Sequence, residues 1–196
     1  MLQAGYHEVP AGHIAAVVTY LEMKEAPRLQ ALRPEGVSVR KMEQPAVGEY
    51  RTVFRAVGEP WLWFSRMILP ETQLTAIIHH PEVDVFFLES GGRPQGLLEI
   101  DRRHFPEIEL TFFGLAPEMI GKGAGRYLIE YGIKHAFSFR PKRFWLHTCT
   151  LDSPQALWFY MKVGFVPYKR AVEIAPDPRL TGRLPRTAAP QIPIIE

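Results

Sequence analysis

Leu115-Ala116-Pro117-Glu118-Met119-Ile120-Gly121-Lys122-Gly123-Ala124-Gly125 decides how this chain is read. A strand-like run from Ile108 to Leu115 leads into it. From Gly125 to Phe139, Leu128, Gly132, Ile133, Ala136 and Phe137 share one face at helical spacing, until Pro141 ends the helix. A glycine-dense turn that opens into a helix has the build of an anion site. The first helical turn leaves backbone N–H groups unpaired at the positive end of the helix dipole, and glycines admit phosphate oxygens close to the backbone. The spacing G-x-G-x-G lacks the Lys-Ser or Lys-Thr of a P-loop and departs from the G-x-G-x-x-G dinucleotide fingerprint, so ATP and NAD readings fall away. Taken alone, the glycines would serve a tight turn without a ligand equally well.

Outward from that turn, the residues upstream alternate between strand and helix patterns. His13 to Met23 and Val37 to Met42 read as strands, and Ala46 to Val57 reads as a helix stopped by Gly58 and Pro60. A second helix is expected from Pro70 or Glu71 to near His79. Val83 to Glu89, Gly96 to Asp101 and Ile108 to Leu115, separated by Gly91-Gly92 and the Arg102 to Pro106 turn, form an antiparallel meander. Downstream, Phe144 to Thr150 is a strand. Ser153 is placed to cap a helix with Pro154 at its first position and Gly164 past its end, and Phe165 to Ile174 gives the last strand. The segment 175–196 carries Pro176, Pro178, Pro185, Pro190 and Pro193, which excludes helix and central strand. It is expected as an extended arm or disordered, with Ile192, Ile194 and Ile195 able to dock on a neighbouring surface. The expected organisation is one domain over 1–174 and a proline-rich tail over 175–196.

Composition narrows the class. The 196 residues are 46% apolar and 22% charged, which suits one globular core. Twenty-three Lys and Arg against twenty-one Asp and Glu give a net charge of +2, so nucleic acid and membrane surfaces are not expected as main partners. Cys149 is the lone cysteine, and no basic start followed by a long apolar run resembles a signal peptide or a membrane span. A cytoplasmic protein is expected. By the period of two, Cys149 shares a strand face with His147, which raises a Cys-His nucleophile or a metal ligand pair; a packed thiol explains the cysteine better.

The order of these motifs resembles the GNAT superfamily of acetyl-CoA-dependent N-acetyltransferases. Leu115-Ala116-Pro117, then Gly121-Lys122-Gly123-Ala124-Gly125, then a strand, then Ala156, Tyr160, Lys162, Gly164 and Phe165 follow that family's signature. The likeness is specific from about Val83 to Tyr168. Ile120 departs from it, standing where the family usually has Arg or Gln. The resemblance implies a single α+β domain with a central mixed, mostly antiparallel sheet and helices on both faces. The sheet would splay between the strands ending at Leu115 and Thr150, pantetheine would enter the gap, and pyrophosphate would lie on the Gly121 to Arg126 turn. Phe113, Gly114, Leu115, Gly121, Lys122, Gly123, Ala124, Gly125, Arg126 and Asp152 are the implied contacts of acetyl-CoA. The implied reaction is acetyl transfer to a primary amine by direct attack.

Such a reaction needs a base, because an alkyl ammonium has a pKa of roughly 10. By its place in the motif, Tyr160 is the implied general acid toward the departing CoA sulfur. His147 is the first candidate for the base, since an imidazole suits proton collection near neutrality, and Glu109 and Glu99 compete with it. Backbone N–H groups around Phe113 to Leu115 are candidates for stabilising the oxyanion. Trp61, Trp63 and Phe64 fall where the family walls the acceptor pocket. A small-molecule amine is favoured over a protein acceptor, a homodimer stays open, and the alternative function is an acyl-CoA-binding sensor or scaffold without catalysis.

Overall fold

The computed structural model describes residues 3–196. Strands β1 (His13–Met23), β2 (Val37–Met42), β3 (Val83–Ser90), β4 (Arg93–Asp101), β5 (Glu107–Leu115), β6 (Arg143–Cys149) and β7 (Val166–Pro176) form one seven-stranded sheet in the order β2-β3-β4-β5-β6-β1-β7. Every neighbouring pair is antiparallel except β5 and β6. Hydrophobic alternation explains where the faces go. On one face Leu98, Ile100, Ile108, Leu110, Phe144 and Leu146 pack under helix α4 (Ala124–Ser138), which contributes Leu128, Ile129 and Ile133. On the other, Val85, Phe87 and Leu97 pack under α1 (Val47–Gly58) and α3 (Glu71–Ile78), which contribute Tyr50, Val53, Phe54, Leu74 and Ile78. This is the mixed α+β architecture with helices on both faces.

Packing holds α4, and capping does not. Gly123 precedes the helix with no side-chain cap, a loss of about a few tenths of a kcal/mol, while each fully buried Leu or Ile contributes roughly 1.5–3 kcal/mol. The first-turn amides are therefore left for something else to bond.

Element boundaries agree with the sequence reading to within three residues, the largest difference being the start of β4 at Arg93 in place of Gly96, with instructive exceptions. A one-turn helix, α2 (Ser65–Ile68), stands where no helix was expected. The last helix, α5 (Ala156–Lys162), begins after Pro154, because the Ser153 hydroxyl accepts from the Gln155 amide at 3.4 Å and the chain turns once before the helix is regular. The proline-rich segment is folded, not extended. The side chains of Asp177 and Arg179 are buried as an ion pair of 2.7 Å, and the Arg179 guanidinium donates to the carbonyls of Ala188, Ala189 and Ile192. Prolines forbid helical bonds there; the arginine fork supplies the missing donors. Leu184, Ala188 and Ala189 are thereby buried against Ile14 and Leu62. Among the described residues no helix is long and apolar enough to cross a membrane.

Candidate functional site

β5 and β6 pair in parallel only over Glu107–Glu109 and Arg143–Trp145, so beyond Leu110 and Leu146 the two strands part. Opposite the parting, the β4–β5 register jumps from Glu99↔Phe112 to Ile100↔Leu110 and leaves Thr111 as a bulged residue. Its Oγ1 is buried without a hydrogen-bond partner. The Ala116 amide donates to the Gln95 carbonyl at 2.8 Å, so alternation turns the backbone groups of Leu115 and Phe113 away from β4 and into the gap.

A cavity of about 710 Å³ occupies the parting. One part of its wall is main chain at the start of α4: Gly121, Gly123 and Gly125, with the Arg126 side chain. Gly121 and Gly123 have φ of +80° and +78°, a region that side-chain-bearing residues enter at a cost of roughly 1–2 kcal/mol. Arg126 pairs with Glu130, whose other oxygen accepts the amides of Gln30 at 2.6 Å and Ala31 at 2.7 Å, fixing the loop after β1 beside the turn. Burial alone would raise the Glu130 pKa, but the bonds from Ala31, Arg126 and Gln30 outweigh it and hold the carboxyl below its usual range.

The opposite part is built from side chains. The Trp63 and Phe112 rings pack at 5.3 Å, tilted by 56°, and the Arg66 guanidinium lies 5.0 Å over the Phe112 ring. Gly114 permits this wall to close on β5: a Cβ there would meet Val57 Cγ1 at 2.4 Å and the Trp63 ring at 3.2 Å. Arg66 is fixed by Glu99, a completely buried carboxylate that accepts from Arg66 and from the Tyr50 hydroxyl, each at 2.5 Å. With both oxygens so engaged, Glu99 is a structural anchor and not a candidate base.

His147 lines the cavity with its Nδ1 3.7 Å from Glu109 Oε1, just beyond hydrogen-bond length. Burial, reinforced by the charge of Asp101, raises the Glu109 carboxyl to about 7. The protein packed round His147 lowers its pKa, an effect only partly opposed by Asp152 and Glu173. Both groups are thus pushed toward their neutral forms near pH 7. Burial pushes the Cys149 thiol up to about 11, so no thiolate is available to a Cys-His nucleophile. The Tyr160 ring packs against Phe113, Phe159 and Phe165 at 5.7–6.1 Å while bordering the same cavity, and burial pushes its hydroxyl pKa well up.

The cavity thus brings together Tyr160, His147, Phe113, Gly114, Leu115, Gly121, Gly123, Gly125, Arg126 and Asp152. Lys122, Ala124 and Glu109 do not line it: Lys122 is exposed, Ala124 is buried beneath the turn and Glu109 stands behind His147. Asp152 accepts from Trp63 Nε1 at 3.0 Å, Thr148 Oγ1 at 2.7 Å and the Cys149 amide at 2.9 Å, so it ties the aromatic wall to β6. Sequence reasoning missed Arg66, Thr111 and Glu173, all of which line the cavity. Only Thr111 left a trace, in the run Leu110-Thr111-Phe112-Phe113, where strand alternation breaks.

A strand parting beside an uncapped, glycine-led helix and a tyrosine-bearing helix is joined by a sequence match: the profile of the Acetyltransferase (GNAT) family fits residues 50–165, more than half of the chain. The chain belongs to the GNAT family. Solved structures agree in fold. A protein of unknown function from Staphylococcus epidermidis is 16% identical with a TM-score of 0.59, over 85% of this chain and 63% of that one. A GNAT acetyltransferase from Novosphingobium aromaticivorans, also 16% identical, has a TM-score of 0.57 over 85% of this chain and 67% of that one. An aminoglycoside N-acetyltransferase in complex with CoA is 18% identical with a TM-score of 0.54, over 71% of this chain and 95% of that one. The first two are longer proteins, of which this GNAT chain spans about two thirds. No curated protein matches the chain in sequence.

Proposed function

We propose that this GNAT protein transfers the acetyl group of acetyl-CoA to the primary amine of a small molecule. The observation that carries the reading is the single cavity in the β5–β6 parting, bounded by free helix amides and by His147, with Glu109 behind it. The parts fit a pantetheine pyrophosphate: positive-φ glycines, an uncapped helix start, strand groups turned into the gap, and an unpartnered hydroxyl at the bulge. Gly121 to Gly125 hold the pyrophosphate through the main chain, with Arg126 adding charge on one side. Phe113 and Leu115 pair with the amide groups of the pantetheine arm, and the bulge at Thr111 lets the strand's N–H groups turn toward the thioester oxygen, where negative charge develops.

His147 accepts the proton that the amine loses as its nitrogen bonds the thioester carbon. With a proton on Nδ1 facing Glu109, Nε2 keeps its lone pair, and an ionised Glu109 stabilises the imidazolium that results. Tyr160 meets the sulfur released when the C–S bond breaks; because burial keeps its hydroxyl protonated, it supplies the proton that completes the thiol and recovers one from water. Asp152 is a positioning residue that holds Trp63 and the β6 end together.

The acceptor side supports a small, cationic amine with a flat or apolar body. Trp61, Trp63, Phe64 and Phe112 supply the apolar surface, and Glu173 supplies a carboxylate. Leu62, Phe64 and Leu151, which line the cavity, are backed by the folded segment that contains Leu184, Ala188 and Ile192. The test is a panel of arylalkyl amines, polyamines and a lysine peptide with release of free thiol as the readout. Turnover fastest with arylalkyl amines is expected; a preference for the peptide would overturn the acceptor class, and no release with any amine would overturn the reaction.

A further inference from the structure

A second hollow, of about 440 Å³, lies on the outer side of α1, remote from the parting strands, and is lined by Gly48, Arg51, Thr52, Arg55, Met67, Gly182 and Arg183. Its charge is one-sided. Several arginines elsewhere meet a carboxylate, among them Arg40 with Glu89, Arg102 with Asp84, Arg103 with Asp101, Arg143 with Glu107 and Arg186 with Glu196; what sets this hollow apart is that three arginines converge in it. Among the described residues Arg51 and Arg183 have no such partner, and Arg55 reaches Glu59 only at 4.0 Å. No acidic side chain lines the hollow.

The three guanidinium groups come from two separate pieces of chain. Arg51 and Arg55 sit one turn apart on α1. Arg183 comes from the C-terminal segment, which the buried Asp177–Arg179 pair folds back onto the domain, and follows Gly182 at a φ of +69°. Arg51 is not free to swing away, because its Nη2 donates to the Leu69 carbonyl at 2.6 Å, while its Nε is buried without a partner. The Thr52 hydroxyl already donates to the Gly48 carbonyl at 2.8 Å, which leaves its lone pairs and not its proton toward solvent. Guanidinium forks match tetrahedral oxyanions by paired N–H donors, and three in one hollow favour a dianion over a single carboxylate.

We propose that this hollow is an anion site for a phosphate group, free or as a phosphate monoester, and that its occupant ties the C-terminal segment to α1. The site is independent of the acyl-transfer reading: it requires neither acetyl-CoA nor turnover.

Isothermal titration of the full chain with inorganic phosphate and with glycerol 3-phosphate, at matched ionic strength and with CoA at saturation, tests it. CoA blocks the glycine turn, so any remaining phosphate heat comes from elsewhere. The expected result is binding that weakens by about tenfold or more in Arg183→Ser and in Arg55→Ser. Both residues are exposed, so both variants should fold, with acetyl-CoA affinity unchanged. Tighter binding of inorganic phosphate identifies free phosphate as the ligand, and tighter binding of glycerol 3-phosphate identifies an ester. Binding abolished by CoA, binding unaltered in both variants, or no binding by either probe would overturn the proposal. Loss of acetyl-CoA binding in the native chain would instead strike the acyl-transfer reading and leave this one standing.

Discussion

The two ends of the cavity are made of different material. At the start of α4 the wall is main chain: Gly121, Gly123 and Gly125 offer N–H groups, and Arg126, the cation that lines this wall, is already paired with Glu130. At the acceptor end the wall is side chain, contributed by the loop before α2, by α2, by β5, by β6 and by β7 through Trp63, Arg66, Phe112, His147 and Glu173. A main-chain site depends on backbone conformation more than on side-chain identity. A side-chain site depends on the identity of each residue and on the partners that aim it, such as Glu99 behind Arg66 and Asp152 behind Trp63.

That contrast is open to breakage at both ends. The largest effect is expected from His147→Ala, which should lower kcat on the order of 10²- to 10⁴-fold while the acetyl-CoA Kd stays within about twofold; a parallel loss of donor affinity would mean that the ends are not separate. Next comes Gly123→Val. A β-branched residue at a φ of +78° is strained and pulls the turn out of the conformation that aims the first-turn amides, so the acetyl-CoA Kd should rise by about tenfold or more, with circular dichroism confirming that α4 persists.

Glu109 sharpens the contrast through pH. If an ionised Glu109 supports His147, kcat/KM should climb with pH through about 7 and then level, and Glu109→Gln should lower the plateau and remove the arm at 7. Stability carries the opposite sign. A carboxyl raised from 4.5 to about 7 on folding adds stability that is complete below about 4.5 and is lost as pH rises through 7. Urea midpoints of the native chain should therefore fall across that window relative to Glu109→Gln. The smallest effect is expected from Lys122→Ala: this exposed side chain lies off the cavity wall, so the acetyl-CoA Kd should change by less than about threefold. A tenfold change would show that side-chain charge, and not main chain, holds the pyrophosphate.

The same difference in material explains what could be read from sequence. Main-chain sites leave glycines at fixed offsets, so the turn from Gly121 to Gly125, the strand before it and Tyr160 two elements later were legible without coordinates. The acceptor end was legible only in its aromatic content and in His147. Arg66 belongs to α2, a single helical turn too short to show a period. Its partner Glu99, which the sequence leaves in competition for the proton, is separated from it by more than thirty residues and meets it only because α1 and α2 pack on β4 and β5. Lys122 and Ala124 share the motif with the glycines, yet alternation around the turn places one outside and one beneath it. The prolines after Ala175 correctly exclude regular structure, but nothing local in the sequence reveals that the Arg179 fork satisfies the freed carbonyls and folds the segment behind Leu62.

Isothermal titration of the full chain with acetyl-CoA, CoA and ATP tests the central claim most directly. The expected result is binding of acetyl-CoA and CoA with micromolar Kd and no heat from ATP, with acetyl-CoA binding lost in Gly123→Val and kept in His147→Ala. No binding of acetyl-CoA, or equal binding of ATP, would contradict the assignment of the strand parting and the glycine turn to an acyl-CoA donor.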